Sequence, residues 1–456
     1  MKKNDKIEVL IETLTGEGTG IGRVNGLTVF VPNTAAGDKI IAHIIKVKKN
    51  YAIGKLQEIL ESSDDRKEVD CPAFKSCGGC AFRHITYEKE LKTKQNGVES
   101  AIRRIGGIDL SPKDIIPSPK ITRYRNKAQY PVALGKDGIS YGFFARHSHR
   151  VIESNGCMLQ PVIFEQVMQT VKAWADENKI TVYNSETKCG LLRHVLLRIG
   201  EKTGEIMVVP VINGDSLPKS DDLVQKLKSA LGENFVSLSY NINKNDTNVV
   251  LGEKIINVYG KATITDILCG VTLEISPHSF YQVNREAAEL LYKEGARYID
   301  ANDKVILDLY CGIGSIGLSV LNILQNKNTE LYGVEIIPSA IENAKHNAKI
   351  NGFTNAHFFC GDALKASIML KEKNIKPDAV ILDPPRKGCE PKLIELIANN
   401  FAPKKIVYIS CDPATLARDV KYFNELGYSL VEYTPVDMFP GTSHVESVVL
   451  LTKTHN

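Results

Sequence analysis

The chain has 456 residues, 43% hydrophobic and 24% charged, which is enough to bury a substantial core in two or three globular domains. No apolar stretch is long enough to span a bilayer and the start, Met1-Lys2-Lys3-Asn4-Asp5, lacks the apolar run of a secretory leader, so a cytoplasmic protein with no membrane partner is expected. The net charge of +4 excludes little, but residues 1–150 hold 26 Lys and Arg against 17 Asp and Glu, making the front third a candidate polyanion-binding surface.

Residues 7–14, 27–31, 39–47 and 51–59 are short β-rich runs separated by turn chemistry: the glycines of residues 16–22 and the pairs Asn25-Gly26 and Gly37-Asp38. So many short strands within residues 1–60 imply a small closed barrel. With Val29-Phe30-Val31-Pro32-Asn33, the pattern resembles a TRAM domain, an OB-like RNA-binding module. The charged run 61–68 reads as a linker into a central α/β region, residues 61–279.

That region opens with Cys71, Cys77 and Cys80, spaced C-x5-C-x2-C, with Gly78 and Gly79 allowing close backbone approach to whatever the thiols hold. Three thiolates need a fourth ligand, either Cys157 or His84. Zinc ribbons present two paired hooks, so three clustered cysteines and a remote one favour a 4Fe-4S cluster over zinc. Cys189, Cys269, Cys360 and Cys389 read as small packed hydrophobes. Arg123-Tyr124-Arg125-Asn126-Lys127 and the run from Phe143 through His147 to Arg150 interleave cations with aromatics, as phosphate contact plus base stacking requires, although packing explains either run equally well. Helical patterns at 164–178 and 220–231 and β runs at 195–199, 206–211 and 236–242 complete the region; Arg193 and His194 read as packing residues.

Residues 280–456 carry the chemistry. Val305 to Tyr310 is a buried strand, and Cys311-Gly312-Ile313-Gly314-Ser315-Ile316-Gly317 opens a helix, a glycine-rich turn that lets backbone approach a ligand. A second strand, 330–334, ends at Glu335, whose carboxylate suits a ribose diol; Asp362 suits an adenine amine; a further strand, 379–382, ends in Asp383-Pro384-Pro385-Arg386. Acids at successive strand ends fit a class I methyltransferase that uses S-adenosyl-L-methionine better than a dehydrogenase, with a mostly parallel sheet and helices on both faces. Strand 406–409 then delivers Ser410-Cys411-Asp412-Pro413. A thiol beside a methyl donor points to covalent catalysis, because C5 of a pyrimidine is a poor nucleophile until a thiolate adds to C6.

With Phe280-Tyr281-Gln282-Val283-Asn284 and His444-Val445-Glu446 added, the chain resembles the RNA uracil-C5 methyltransferases, and the barrel and cysteine set point to the branch acting on 23S ribosomal RNA. The resemblance implies a nucleophile at Cys411 and a general base at Glu446. It further implies cofactor-site roles for Gln282, Tyr310, Ser315, Glu335, Asp362 and Asp383, and cluster ligands at Cys71, Cys77, Cys80 and Cys157. Phe280 is the expected stacking partner of an extruded base. Size and single-site chemistry suit a monomer. Other readings of the same motifs are a transfer-RNA uracil-C5 enzyme, an enzyme methylating a base nitrogen with Cys411 merely packed, and a non-catalytic RNA-binding assembly factor.

Overall fold

A computed structural model describes residues 1–136, 138–146 and 148–454; His147, in the second aromatic run, lies outside the described residues. Strands β1 (Lys6–Leu14), β2 (Thr19–Val24), β3 (Leu27–Pro32), β4 (Lys39–Val47) and β5 (Tyr51–Glu61) close into a barrel in the order β1-β2-β3-β5-β4, as expected. Alternation puts Val9, Ile11, Val29, Val31, Ile40, Ala42, Ile44 and Ala52 inside, and closure leaves no edge to pair with another chain. Two of the glycines read as turn residues lie within β2 instead: a Cβ on Gly20 would fall 1.9 Å from Thr34 Oγ1, and one on Gly22 would fall 2.3 Å from the Leu10 carbonyl.

The charged run after β5 is not a loose linker. Arg66 pairs with the fully buried Asp38, whose carboxylate also accepts from the amides of Ala35 (2.6 Å) and Ser63 (3.0 Å). Helix α1 (Tyr87–Arg104) follows the cysteine-rich loop, capped by the Thr86 side chain, with Glu88 and Glu90 in its first turn and Arg103 and Arg104 in its last.

A seven-stranded sheet comes next: β6 (Lys127–Gly135), β7 (Gly138–Phe144), β8 (Val151–Glu153), β9 (Leu192–Ile199), β10 (Ile206–Ile212), β11 (Phe235–Ile242) and β12 (Lys254–Gly260), in the order β12-β11-β10-β9-β6-β7-β8. Only β10 and β11 are parallel, since α3 (Ser220–Leu231) supplies a crossover between them; α2 (Val162–Glu177) shares its apolar core. A hairpin, β13 (Ile264–Leu268) and β14 (Val271–Ile275), turns at Cys269-Gly270, both with positive φ, and α4 (Arg285–Ala296) starts at the Asn284 cap.

The remaining elements alternate strand and helix: β15 (Val305–Leu309), α5 (Ser315–Leu324), β16 (Glu330–Glu335), α6 (Pro338–Ile350), β17 (Ala356–Cys360), α7 (Ala363–Glu372), β18 (Ala379–Leu382), α8 (Pro391–Glu395, continued by a π-helical turn), β19 (Lys405–Ser410), α9 (Pro413–Glu425), β20 (Tyr428–Val436) and β21 (Glu446–Lys453). Their sheet has the strand order β17-β16-β15-β18-β19-β21-β20; β15 runs parallel to β16 and β18, and β16 to β17, while β20 and β21 are antiparallel. Parallel strands buried on both faces explain runs such as Ala379-Val380-Ile381-Leu382.

The chain divides into two compact units. One comprises Met1–Ile121, Pro384–Ile394 and Tyr408–Asn456, the other Thr122–Asp383 and Glu395–Val407.

Burial opposes the charge of Asp38, but the hydrogen bonds from Arg66 and the two amides outweigh it and hold the carboxyl below its ordinary value. The unfolded chain binds that proton more readily, so the stabilisation is full above the unfolded value of 3.8 and is lost as pH falls through the lower folded value. Arg66→Met should cost about 3 kcal/mol near neutrality, read as a lower melting temperature, and progressively less in acid.

Candidate active site

In the second unit, β15 hands its chain to the glycine-rich turn through Tyr310, which takes φ +67°, a left-handed conformation that non-glycine residues rarely adopt. Gly312 and Gly314 follow at φ +56° and +78°, and Ser315 opens α5 with its hydroxyl 3.2 Å from the Tyr292 hydroxyl. Glu335, at the end of β16, accepts from the amides of Gly312 (3.3 Å) and Ile337 (3.0 Å), so its carboxylate is fixed against the turn. Asp362 uses one oxygen to cap α7, accepting from Leu364 and Lys365 at 3.2 Å each. Asp383 stands half-buried just past β18, its amide bonded to the Leu309 carbonyl.

Asp308 carries no role in the sequence reading, yet the structure makes it central to this turn. It is fully buried, its Oδ2 accepts from the Gly317 amide at 3.1 Å, and a Cβ at Gly317 would crowd that oxygen at 2.8 Å. Its Oδ1 has no hydrogen-bond partner. Burial pushes the Asp308 carboxyl up to about 8, with the Asp383 charge adding to the shift and the Gly317 amide opposing it; burial likewise pushes Asp383 up to about 7. The signal that would have found Asp308 is an acid inside an otherwise apolar strand, a buried charge that needs a reason. Cys311, in the same turn, is buried and its thiol is held well above the ordinary value, chiefly by that burial.

Gln282 is buried, and its backbone carbonyl accepts from Asn126 Nδ2 at 2.9 Å, while the Val283 carbonyl accepts the Asn126 amide at 2.8 Å. The fully enclosed Arg198 donates to the carbonyls of Pro277 and Ser279. On this fixed segment Phe280 stands 66% exposed, an aromatic ring offered to solvent. The same anchoring favours packing over nucleic-acid contact for 123–127: Tyr124 and Asn126 are buried, Arg123 donates to the carbonyls of Cys157 and Gln160, and burial lowers Lys127 to about 7. The other aromatic run does reach a surface. Phe144 and Arg150 line an open cleft of about 1240 Å³ with exposed Leu134, Lys136 and Val249. Arg193 is packed, as expected: it is buried on the Tyr183 ring and donates to the carbonyls of Asn243 and Asn245.

In the first unit, Cys411 follows β19 directly, half-buried, where strand gives way to helix. Asp412 caps α9 by accepting from Ala414 and Thr415 at 2.9 Å each, Pro413 occupies the first turn, and Ser410 Oγ bonds both the amide and the carbonyl of Asp412. The thiol is thus held just ahead of the N-terminus of α9. Asp419 on α9 accepts from Tyr408 (2.7 Å) and from the Cys389 amide (2.8 Å), tying the chain after Pro384-Pro385-Arg386 to this helix. Glu446 begins β21, 5% exposed and in register with Val436, and Arg386 Nη2 lies 3.5 Å from His444 Nε2.

Cys71, Cys77 and Cys80 are half-buried on the loop before α1, with the Gly79 amide 3.4 Å from the Cys77 sulfur; Cys157, in the second unit, is also half-buried. Among the described residues no group of three or more His, Cys, Asp or Glu is gathered as a metal site. His84, the alternative ligand, is buried with Nε2 3.0 Å from the Thr34 carbonyl. Of the four cysteines expected to pack, Cys269 and Cys389 are buried, whereas Cys189 and Cys360 are exposed, each at the end of a short turn or strand. No helix among the described residues is long and apolar enough to cross a membrane.

Residues 271–454 match the family described as tRNA (Uracil-5-)-methyltransferase, and residues 2–56 match the TRAM domain. An uncharacterized RNA methyltransferase of Clostridium tetani is 41% identical over 453 residues, covering 99% of this chain and 97% of that one. One of Clostridium acetobutylicum is 42% identical over 457 residues, covering 99% and 98%. The crystal structure of Pyrococcus abyssi tRNA (uracil-54, C5)-methyltransferase in complex with S-adenosyl-L-homocysteine is 29% identical, with a TM-score of 0.78 over 98% of this chain and 100% of that one.

A raised Asp383 means that the folded chain binds a proton the unfolded chain has released, so this residue costs stability as pH climbs from 3.8 towards 7. Asp383→Asn should therefore raise the melting temperature of the ligand-free protein at pH 8 and leave it nearly unchanged at pH 4, as scanning calorimetry at the two pH values would show.

Proposed function

The chain belongs to the S-adenosylmethionine-dependent RNA uracil-C5 methyltransferase family, and from that premise we propose that it methylates C5 of a uridine in 23S ribosomal RNA through a covalent enzyme–RNA intermediate. The observation that carries the reading is the position of Cys411, at the carboxyl end of β19 and ahead of the α9 N-terminus.

S-adenosylmethionine supplies the methyl group. The cofactor-site residues suit it by chemistry: Glu335 has lone pairs to spare beyond its two amide bonds, and the turn at Gly312 offers open backbone, since a Cβ there would meet nothing within 4 Å. Gln282, Tyr310, Ser315, Asp362 and Asp383 complete the proposed set. Phe280 receives the extruded base by stacking, repaying the cost of leaving its neighbours, about a few kcal/mol. The Cys411 thiolate adds to C6, and the electron pair this places on C5 forms the new bond to the methyl carbon as that carbon's bond to the sulfonium sulfur breaks and the neutral thioether leaves. Glu446 then takes the C5 proton, C5–C6 unsaturation returns, and the sulfur leaves as thiolate. A monomer in the cytoplasm suffices for this chemistry.

Support for ribosomal RNA lies in the barrel and cysteine set that accompany the catalytic domain. The aromatic and basic cleft around Phe144 and Arg150 suits RNA backbone and bases. A second reading, transfer RNA, is favoured by full-length similarity to the Pyrococcus enzyme. Incubation with unmodified 23S rRNA and tRNA transcripts, followed by nucleoside mass spectrometry, separates the two. The expected result is 5-methyluridine in 23S rRNA only, lost on the order of 10³-fold or more in Cys411→Ala while cofactor binding persists. Methyl groups on a base nitrogen, or an active Cys411→Ala enzyme, would overturn the covalent uracil reading.

The proposal extends to a 4Fe-4S cluster on Cys71, Cys77, Cys80 and Cys157. Thiol spacing and the Gly79 amide directed at the Cys77 sulfur favour it. Such a cluster would brace its loop, and no step of the reaction passes through it. Protein purified without oxygen should carry about four iron and four acid-labile sulfide per chain, and Cys77→Ser should lose both; stoichiometric zinc with no sulfide would refute the cluster.

A further inference from the structure

Between the foot of β20 and the start of β21 the chain makes the loop 437–445, which leads directly into Glu446. Two separate pieces of the first unit, helix α1 and the segment 81–83, converge on it. Lys94, on α1 and 1% exposed, donates to Glu90 Oε1 (2.7 Å), Asp437 Oδ1 (2.7 Å) and the Phe439 carbonyl (3.2 Å), which uses all three ammonium protons. The Gly441 amide donates to Glu90 Oε1 at 2.7 Å, and its carbonyl accepts from the amides of Ala81 (2.8 Å) and Phe82 (3.0 Å), the two residues that follow Cys80. Gly441 has φ +80°, and a Cβ there would lie 3.3 Å from Arg83 Cγ. From Phe439 the chain of bonds continues: its carbonyl accepts from the Thr442 amide and hydroxyl, and Thr442 Oγ1 accepts the His444 amide at 3.3 Å.

A lysine shared by two buried carboxylates is a poor way to gain stability, because apolar side chains of the same volume do as well or better. It is a good way to fix one geometry. We propose that Lys94 is a positioning residue for Glu446, clamping the 437–445 loop so that the carboxylate meets the C5 proton, and that the segment after Cys80 closes the same clamp through Gly441. This rests on the reading of Glu446 as general base. It gives the cysteine-rich loop a mechanical role: order in residues 81–83 is order in the loop that carries the base.

The test separates methyl transfer from release. Lys94→Met keeps the length of the side chain and removes the ammonium; Gly441→Ala is the second variant, a milder push on the same loop should the first fail to fold. Each is incubated with natural uridine RNA and S-adenosylmethionine, and protein–RNA species stable on denaturing gels are counted beside Glu446→Gln and Cys411→Ala. A displaced base leaves the methylated adduct unable to shed its proton, so the clamp variants should transfer methyl in the first turnover and resolve the adduct about 10- to 100-fold more slowly, as Glu446→Gln does. RNA affinity should be unchanged. Adduct accumulating in Glu446→Gln but not in a folded clamp variant would overturn the positioning role alone. No adduct in Glu446→Gln would overturn the base assignment and the positioning role with it.

Discussion

Parallel strands joined by helices oblige every turn of one hand to emerge at the strands' carboxyl ends. In this chain Tyr310 follows β15, Glu335 ends β16, Asp362 follows β17 and Asp383 follows β18, so residues far apart in sequence are brought to one edge of a buried sheet by topology alone. None of these side chains needs a long loop to reach its place, which suits chemistry that tolerates little misplacement.

The chain spends polar groups inside its core to hold that edge. Asp308 lies buried under the glycine-rich turn with one oxygen bonded and one without a partner, and Asp308 and Asp383 both sit above the ordinary carboxylate range because burial disfavours their charge. In the first unit the same expedient recurs with opposite balance: Glu90 and Asp437 are buried around one ammonium, and Asp38 around one guanidinium. Around Lys94 and Arg66 the carboxylates meet a cation, whereas Asp308 meets only the Gly317 amide. Tyr310 holds a strained left-handed conformation in the glycine-rich turn, while at the clamp the same backbone region is taken by Gly441, which has no Cβ to clash.

The parts of the fold that sequence reading reached are those where one principle acts unopposed. Four of the five barrel strands, the helices at Val162–Glu177 and Ser220–Leu231, and the strand–turn–helix at Val305 to Leu324 announce themselves through periodicity, glycine and strand-end acids, whereas β2 is hidden because Gly20 and Gly22 look like turn residues. Helix α1 did not, because its inward face includes Glu90, Thr93 and Lys94 beside Val98 and Ile102, and a polar core has no apolar stripe to read. Residues 61–68 looked like a linker because charge usually means solvent, whereas Arg66 is committed to Asp38. Among the candidate site residues, the strand-end positions of Cys411, Glu335 and Asp383 were legible. Asp308, the capping duty of Asp362 and the anchoring of 123–127 were not, since each depends on a partner distant in sequence or on a helix start that only the folded backbone fixes.

The claim at the centre of this account is that Cys411 forms a bond to the RNA. RNA carrying 5-fluorouridine, incubated with the protein and S-adenosylmethionine, offers a C5 substituent that no base can remove as a proton, so a covalent intermediate would be trapped. Tryptic digestion and mass spectrometry would then locate the link. The account predicts a methylated 5-fluorouridine joined to residues 406–418, the tryptic peptide that contains Cys411; methylated RNA with no protein attached, or an attachment at any other residue, would contradict it.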